Sequence, residues 1–448
     1  MNEETVKNLL QKAYQPGQDA LALHPFYKGK IAIAPKVCVR SLSDFSIWYT
    51  PGVAEPCKEI RDDPRRAYDH TNKGNAVAVV SDGTRVLGLG NIGPEAALPV
   101  MEGKALIFKY LGGVDAYPLC LDVREPEALI ATVKALQPSF GGINLEDIES
   151  PKCFYILDRL REEMDIPVWH DDQQGTATIE VAGAMNALSY VGKPLGEAKV
   201  AMVGAGAANI AIARLLVSAG VKKRNIVMID SKGVLHSGRA DLEADKERNP
   251  QKWDLCVNGN GEQIEGSMKD GVRGADILIA ASRPGPGTIP PDVVSAMASD
   301  AIVFATANPV PEIWPWEAKE AGALIVATGR SDFPNQINNS LGFPGIFRGA
   351  LDVQARTITD GMCIAAATSI ADMARERGLS PDYLVPSMDE WEVFPREATA
   401  VGMQAIKEGV ARAPVSADEL YHHAQEVIGQ ARDMTRLLME SGHIRAPP

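Results

Sequence analysis

Apolar residues in 125–140, EPEALIATVKALQPSF, recur at helical spacing, and those in 150–164, SPKCFYILDRLREEM, do the same behind a Ser-Pro start signal. Between them, 141–147, GGINLED, reads as a short strand closing on two acids. Upstream, 75–90, NAVAVVSDGTRVLGLG, predicts two strands turned back on each other at Asp82-Gly83, a hairpin signal. Residues 105–122 follow with a helix and another strand. The first 60 residues read as helical and then loop-rich, with prolines at 16, 25, 35, 51 and 56. The pattern places a mixed α/β domain over 1–174.

After Thr176 the apolar positions Ile179, Ala182, Met185, Leu188 and Val191 recur every third residue, with apolar neighbours between them. That predicts a helix buried nearly all round. A linker, 192–198, precedes a new regime of strand, glycine loop, helix and strand: KVAMVGAGAANIAIARLLVSAGV, then NIVMID. Three further apolar runs, in 275–282, 301–309 and 323–332, each end in small or polar residues, where open parallel sheets carry their ligand loops. The expectation is a Rossmann-like, doubly wound nucleotide-binding domain over 175–345. Within it, 234–273 reads as a polar, irregular excursion. Residues 346–448 read as a helical region packed on the other two.

Composition narrows the function. The 448 residues are 45% hydrophobic and 23% charged, as in an ordinary soluble protein. Lys+Arg 45 against Asp+Glu 58 leaves a net charge of −13, with no basic run. This excludes a nucleic-acid binder, and an anionic ligand would need local cations or a metal. The six cysteines form no CxxC pair, which points to reduced thiols and a cytoplasmic location. The most apolar window, 198–221, carries Lys199, Asn209 and Arg214 and is no membrane span; the N-terminal stretch has no apolar signal core.

Three motifs carry chemistry. VGAGAAN sets Gly204, Ala205, Gly206, Ala207, Ala208 and Asn209 between a strand and a helix. Gly204 permits the tight turn, and Gly206 lets backbone N–H groups approach a pyrophosphate at the helix N-terminus. Asn209 departs from the small residue usual there. Asp230, at the end of the next strand, would accept from an adenine-ribose hydroxyl and favours NAD, whereas Lys232 would meet the 2′-phosphate of NADP. NLEDI places Glu146 and Asp147 at a strand end, and WHDDQQGTA places His170, Asp171 and Asp172 ahead of the buried helix. Alone, either acidic stretch is what a helix cap or solvated loop would show. Together, three carboxylates from two loops suit Mg²⁺ or Mn²⁺, whereas zinc would want more His or Cys. His170 reads as a packed histidine. Spacing alone does not promote Tyr49, Arg85 or Lys104.

YTPGVA, SDGTRVLGLGNIG, EGKALIF, NLEDI, HDDQQGTA, VGAGAA, FATANP and NQINNSLGFPGIFRGALD stand in order over residues 49–352. In this the chain resembles the malic enzymes, of the compact bacterial or archaeal type. The resemblance implies oxidative decarboxylation of malate to pyruvate with NAD or NADP and a divalent metal, in a homodimer or higher oligomer. It implies Tyr49 as general acid, Lys104 as general base and Arg85 on the substrate carboxylate. Glu146, Asp147 and Asp172 match the metal ligands, with Asp171 beside them. Asn308 and the pair Asn338 and Asn339 match contacts to substrate or cofactor. Lys104 must then be neutral to act, so a cation and partial burial are expected to lower its pKa. The rivals are a malolactic-type enzyme, which shares this constellation, another two-domain dehydrogenase of amino-acid or shikimate type, and a non-catalytic dinucleotide-binding regulator.

Overall fold

The computed structural model describes residues 3–448. Two parallel sheets organise it. The first holds β1 (Ala76–Ser81), β2 (Asp115–Cys120), β3 (Gly142–Leu145) and β4 (Val168–His170) in the order β2-β1-β3-β4. All of its pairings are parallel. Every residue of β1 is buried, as its unbroken apolar run requires when both faces are covered.

The hairpin expected at Asp82-Gly83 does not form. β1 is flanked by β2 on one edge and β3 on the other, so no edge remains for a returning strand. Residues 82–93 instead make a compact loop. Its only ladder is a lone antiparallel bridge between Val86 and Gly90, and the Gly83 carbonyl accepts from the N–H groups of Ile92 and Gly93. The Asp82 carboxylate is buried and paired with Lys152 at 2.8 Å. The Asp-Gly pair therefore ends a strand without reversing it.

The second sheet holds β5 (Val200–Val203), β6 (Ile226–Asp230), β7 (Gly233–Val234), β8 (Ile277–Ala280), β9 (Ala301–Ala305) and β10 (Ala323–Thr328). Its order is β10-β9-β8-β5-β6-β7, and only β7 runs antiparallel. This is the doubly wound pattern, with the strand order reversing beside β5. Residues 234–273 are not the irregular excursion expected. They carry three short helices, Ala240–Glu243, Pro250–Asn258 and Met268–Val272. Asn260 is buried there, and its side-chain amide donates to the carbonyls of Leu235 and Ile264. That satisfies backbone groups which a polar stretch would otherwise leave to water.

The helix Thr176–Tyr190 joins the two sheets. Eleven of its 15 residues are buried, which matches its near-uniform apolar pattern. Its one buried asparagine, Asn186, donates to the carbonyls of Ala371 and Leu384 and so fastens the C-terminal helices to the junction. Those helices are Phe343–Asp352, Asp360–Arg377, Val393–Lys407 and Ala417–Glu440. Phe343 and Phe347 pack on Phe108 of the helix Pro94–Gly112, with ring centroids 4.6 and 5.2 Å away. The approach is close: a Cβ on Gly112 would stand 2.8 Å from the Pro344 carbonyl. Among the described residues no helix is long and apolar enough to cross a membrane.

Candidate active site

Strand ends and one helix bring the acids together. Glu146 and Asp147 follow β3, and Asp171 and Asp172 follow the neighbouring β4. Because the strands are parallel, both acidic pairs emerge at the same end of the sheet. Asp171–Gly175 is a single π-helical turn, a local irregularity that re-aims side chains just before the regular helix begins. Glycine is needed at 175, because a Cβ there would overlap the Asp171 carboxylate. Asp147 sits at φ 55°, and this left-handed backbone turns its N–H onto Asp172 Oδ2 at 2.8 Å.

Carboxylate oxygens of Glu146, Asp147 and Asp172 lie within 4.8 Å of one another. Glu146 and Asp147 are buried, while the Asp172 side chain is 36% exposed and opens the cluster to solvent. Burial raises the carboxyl of Glu146 well above its usual range, and the other acids add to the rise. Burial, then Asp172, push Asp147 up to about 8. Burial raises Asp172 as well. Asp147 Oδ2 has no hydrogen-bonding partner although it is buried. Three crowded, partly orphaned carboxylates form a donor set for a hard divalent cation, and the residues present fit one. The His170 ring is fully buried and neither nitrogen makes a hydrogen bond, although Nδ1 lies 3.6 Å from Asp172 Oδ2, and burial lowers its pKa to about 4. It is a packed neutral ring.

Lys104 stands at the edge of this cluster. It lies on the helix Pro94–Gly112 and is 7% exposed. Its Nζ meets Glu146 Oε1 at 2.9 Å, touches Asp171 Oδ2, and lies 4.3 Å from the Phe343 ring centroid. Asp171 is itself held by Trp169 Nε1–H at 3.0 Å. The lowered pKa expected of Lys104 is not found. Burial does oppose its charge, but Asp171 and Glu146 outweigh burial and hold the ammonium above its ordinary value. Asp171 contributes the larger share of that rise, and Glu146 adds to it.

The remaining candidates divide. Arg85 is exposed on the 82–93 loop, and its charge favours ionised Asp172. That loop spans the cleft between the sheets: a Cβ on Gly88 would stand 2.7 Å from the Asn308 carbonyl. Asn308 follows β9, so the loop ends of the two sheets meet here. Asn338 is occupied, since its amide donates to the Gly329 carbonyl and accepts from the Ser340 N–H. Asn339 has its Cβ 3.3 Å from the position a Gly175 Cβ would take, beside the π turn. Tyr49 does not join the cluster. It is 70% exposed, just beyond the short helix Phe45–Trp48.

At the nucleotide end, Gly204 adopts φ +102°, and a Cβ there would stand 2.8 Å from the Ala281 carbonyl. The fold itself requires that glycine. Gly206 differs, because a Cβ on it would meet nothing within 4 Å. The open space over Gly206, at the start of the helix Ala207–Ser218, is what a pyrophosphate needs. Ala205, Ala207 and Ala208 are the turn's other small residues, all partly exposed along the groove. The unusual Asn209 has a structural explanation: its buried amide donates to the carbonyls of Val203 and Gly204, both at 2.8 Å, and locks the turn. Asp230 and Lys232 lie beyond it in a network of ion pairs. Sequence reading missed Glu312. Its carboxylate accepts from the N–H groups of Ser282 and Ala307 and ties the loops after β8 and β9 together. No local pattern marks it, since its partners lie on separate strands.

A family model described as the N-terminal domain of malic enzyme matches residues 28–161, and one described as the malic enzyme NAD-binding domain matches 173–406. The bifunctional malic/malolactic enzyme of Bacillus subtilis is 50% identical over 92% of this chain and 99% of its own length. The NAD-dependent malic enzyme of Geobacillus stearothermophilus is also 50% identical, over 86% of this chain and 78% of its own. The crystal structure of Entamoeba histolytica malic enzyme superposes with a TM-score of 0.96 at 48% identity, covering 100% of this chain and 93% of that one.

Proposed function

The chain belongs to the malic enzyme family, and from that premise we propose that it converts (S)-malate and NAD(P)⁺ to pyruvate, CO₂ and NAD(P)H. The observation that carries this reading is the contact of buried Lys104 with both Glu146 and Asp171 at the rim of the carboxylate cluster. A base for a hydroxyl proton and a cation site for the same hydroxyl belong at such a juxtaposition.

Mg²⁺ or Mn²⁺ held by Glu146, Asp147 and Asp172 would supply Lewis-acid polarisation of the substrate oxygens, and the dinucleotide would supply the hydride acceptor. The chain's own side chains do the rest. Lys104, once it has given up its own proton, would take that of the C2 hydroxyl, and Asp171, in contact with it, orients its Nζ. Arg85, exposed at the cleft mouth, holds a substrate carboxylate against the net charge of −13. Asn339 and Asn308 line the cleft between the sheets, while Asn338 shapes the turn that presents Asn339. Tyr49 protonates C3 after CO₂ leaves.

Malate should drive nucleotide reduction with Mg²⁺ or Mn²⁺, in step with pyruvate formation, and chelator should stop it. The assay is absorbance at 340 nm with NAD and NADP in separate runs. Nucleotide reduction that persisted in chelator would refute the metal-assisted reading. A second reading, malolactic conversion, is favoured by the name and 50% identity of the Bacillus subtilis relative. It predicts lactate without net reduced nucleotide, which the same assay separates.

Tyr49 bears on the assembly. In the same N-terminal segment Ile33, Leu42, Ile47 and Trp48 are also exposed, at 87, 85, 57 and 47%. A segment that exposes this many large apolar side chains marks an interface. We assign it to contact with a second copy of the chain, which would bring Tyr49 beside a cleft, in a homodimer or higher assembly. Light scattering should return at least twice the 48.0 kDa chain mass. A monomer with full activity would refute this. The scattered, unpaired cysteines support a reducing, cytoplasmic setting.

A further inference from the structure

The end of the groove beyond β6 is built from five charged side chains. Asp230, the last residue of β6, has a side chain only 11% exposed. Its Oδ1 accepts from the Lys232 backbone N–H at 2.9 Å and from Arg239 Nη1 at 3.2 Å. Its Oδ2 accepts from Arg239 Nη2 at 3.2 Å and from Lys252 Nζ at 2.8 Å. Arg239 also grips Asp241, through Nε at 2.7 Å and Nη2 at 2.9 Å, and Lys232 Nζ reaches Asp241 at 2.8 Å. Three cations thus face two carboxylates.

A carboxylate at this point of a dinucleotide fold normally selects NAD in two ways. It accepts from the ribose hydroxyls, and it repels a 2′-phosphate. Asp230 is poorly placed for either. A carboxylate offers about four lone-pair directions, and four donors already occupy them. Its charge is met by a bidentate guanidinium and an ammonium, which hold its carboxyl below the usual range although burial opposes this.

We infer that this cluster receives the 2′-phosphate of NADP, with Asp230 as the counter-ion that keeps the cations in place and Lys252 as the discriminating residue. The inference rests on the dinucleotide reading of the groove. The two basic side chains are not equivalent. Arg239 is fixed by two forks, on Asp230 and Asp241, and stays with them. Lys252 makes one bond to Asp230, from the helix Pro250–Asn258, on a flexible stem. It can turn to a phosphate at the loss of that single bond, and Arg239 remains to neutralise Asp230. Lys232, whose side chain is 67% exposed, can follow it. The 234–273 segment thereby gains a function, since it supplies both Arg239 and Lys252.

The test is calorimetric binding of adenosine 2′,5′-bisphosphate and adenosine 3′,5′-bisphosphate to the full chain, because the two isomers carry equal charge in different places. The 2′,5′ isomer should bind about tenfold tighter, the worth of one charge-assisted bond. Lys252→Met should remove that margin. Asp230→Asn, which keeps the shape but removes the counter-ion that holds Arg239 and Lys252 in place, should narrow it and leave 5′-AMP no weaker. Equal binding of the isomers, a Lys252→Met loss shared by both, or weakened 5′-AMP in Asp230→Asn would each overturn the inference. The expected margins without malate turnover would uphold it and count against the proposed reaction instead.

Discussion

Lys104→Ala should lower kcat for malate oxidation by about 10²–10⁴-fold, the range spanned by a positioned general base. Nucleotide binding should survive, because Lys104 lies beside β3 and β4, away from the glycine turn after β5. The variant removes the only ammonium among the described residues in contact with Asp171 and Glu146. It therefore leaves two buried carboxylates facing each other and should be less stable without metal, by roughly 3–5 kcal/mol for a broken buried pair. Calorimetric nucleotide titration separates the two effects. A folded Lys104→Ala protein that binds nucleotide and oxidises malate at near the parent rate would show that Lys104 is structural.

Asp172→Ala should weaken Mn²⁺ binding by more than about 100-fold, since loss of an outer partner alone costs 10–100-fold. His170→Ala is the control. Its buried neutral ring has Nδ1 3.6 Å from Asp172 Oδ2 but donates no bond to it, so the loss in metal affinity should be smaller than for Asp172→Ala even if packing suffers. Free Mn²⁺, followed by electron paramagnetic resonance, reads both. Metal-free stability should carry the same signature. Asp147 titrates near 8 in the folded chain, raised first by burial and then by Asp172, against an ordinary 3.8. A raised acid binds its proton more tightly when folded, so stability falls as pH rises through that window. Removing Asp172 should flatten this slope, and saturating Mg²⁺ should reverse it in the parent. Parent and Asp172→Ala proteins with equal Mn²⁺ affinity would remove the acid from the ligand set.

Elements whose signal is local were legible. The helices at 126–136, 152–163 and 176–190 and the five parallel strands of the second sheet follow from apolar period and turn residues, which act over a few positions. So were the acidic pairs, one at a strand end and one ahead of the buried helix, although the strand Val168–His170 before the second was not. The Asp82-Gly83 turn misled because hairpin formation depends on a free strand edge, and edge occupancy is settled by β2 and β3, tens of residues away. The 234–273 segment misled because its polar side chains hydrogen-bond to its own loops and to Asp230, partners that hydropathy does not record.

The sequence by itself determined the α/β class, the glycine turn at 204–209, the acids available to a cation and the family resemblance that singled out Tyr49, Arg85 and Lys104. These are properties of composition and short-range order. Only the tertiary structure decided which charges meet. It set Lys104 between Glu146 and Asp171, left Asn339 and not Asn338 free beside the π turn, put Tyr49 in solvent, and filled Asp230 with donors. Coulomb energy and desolvation depend on distances between side chains far apart in the chain. Protonation and pairing at this site therefore become defined only when the two sheets and the C-terminal helices have packed.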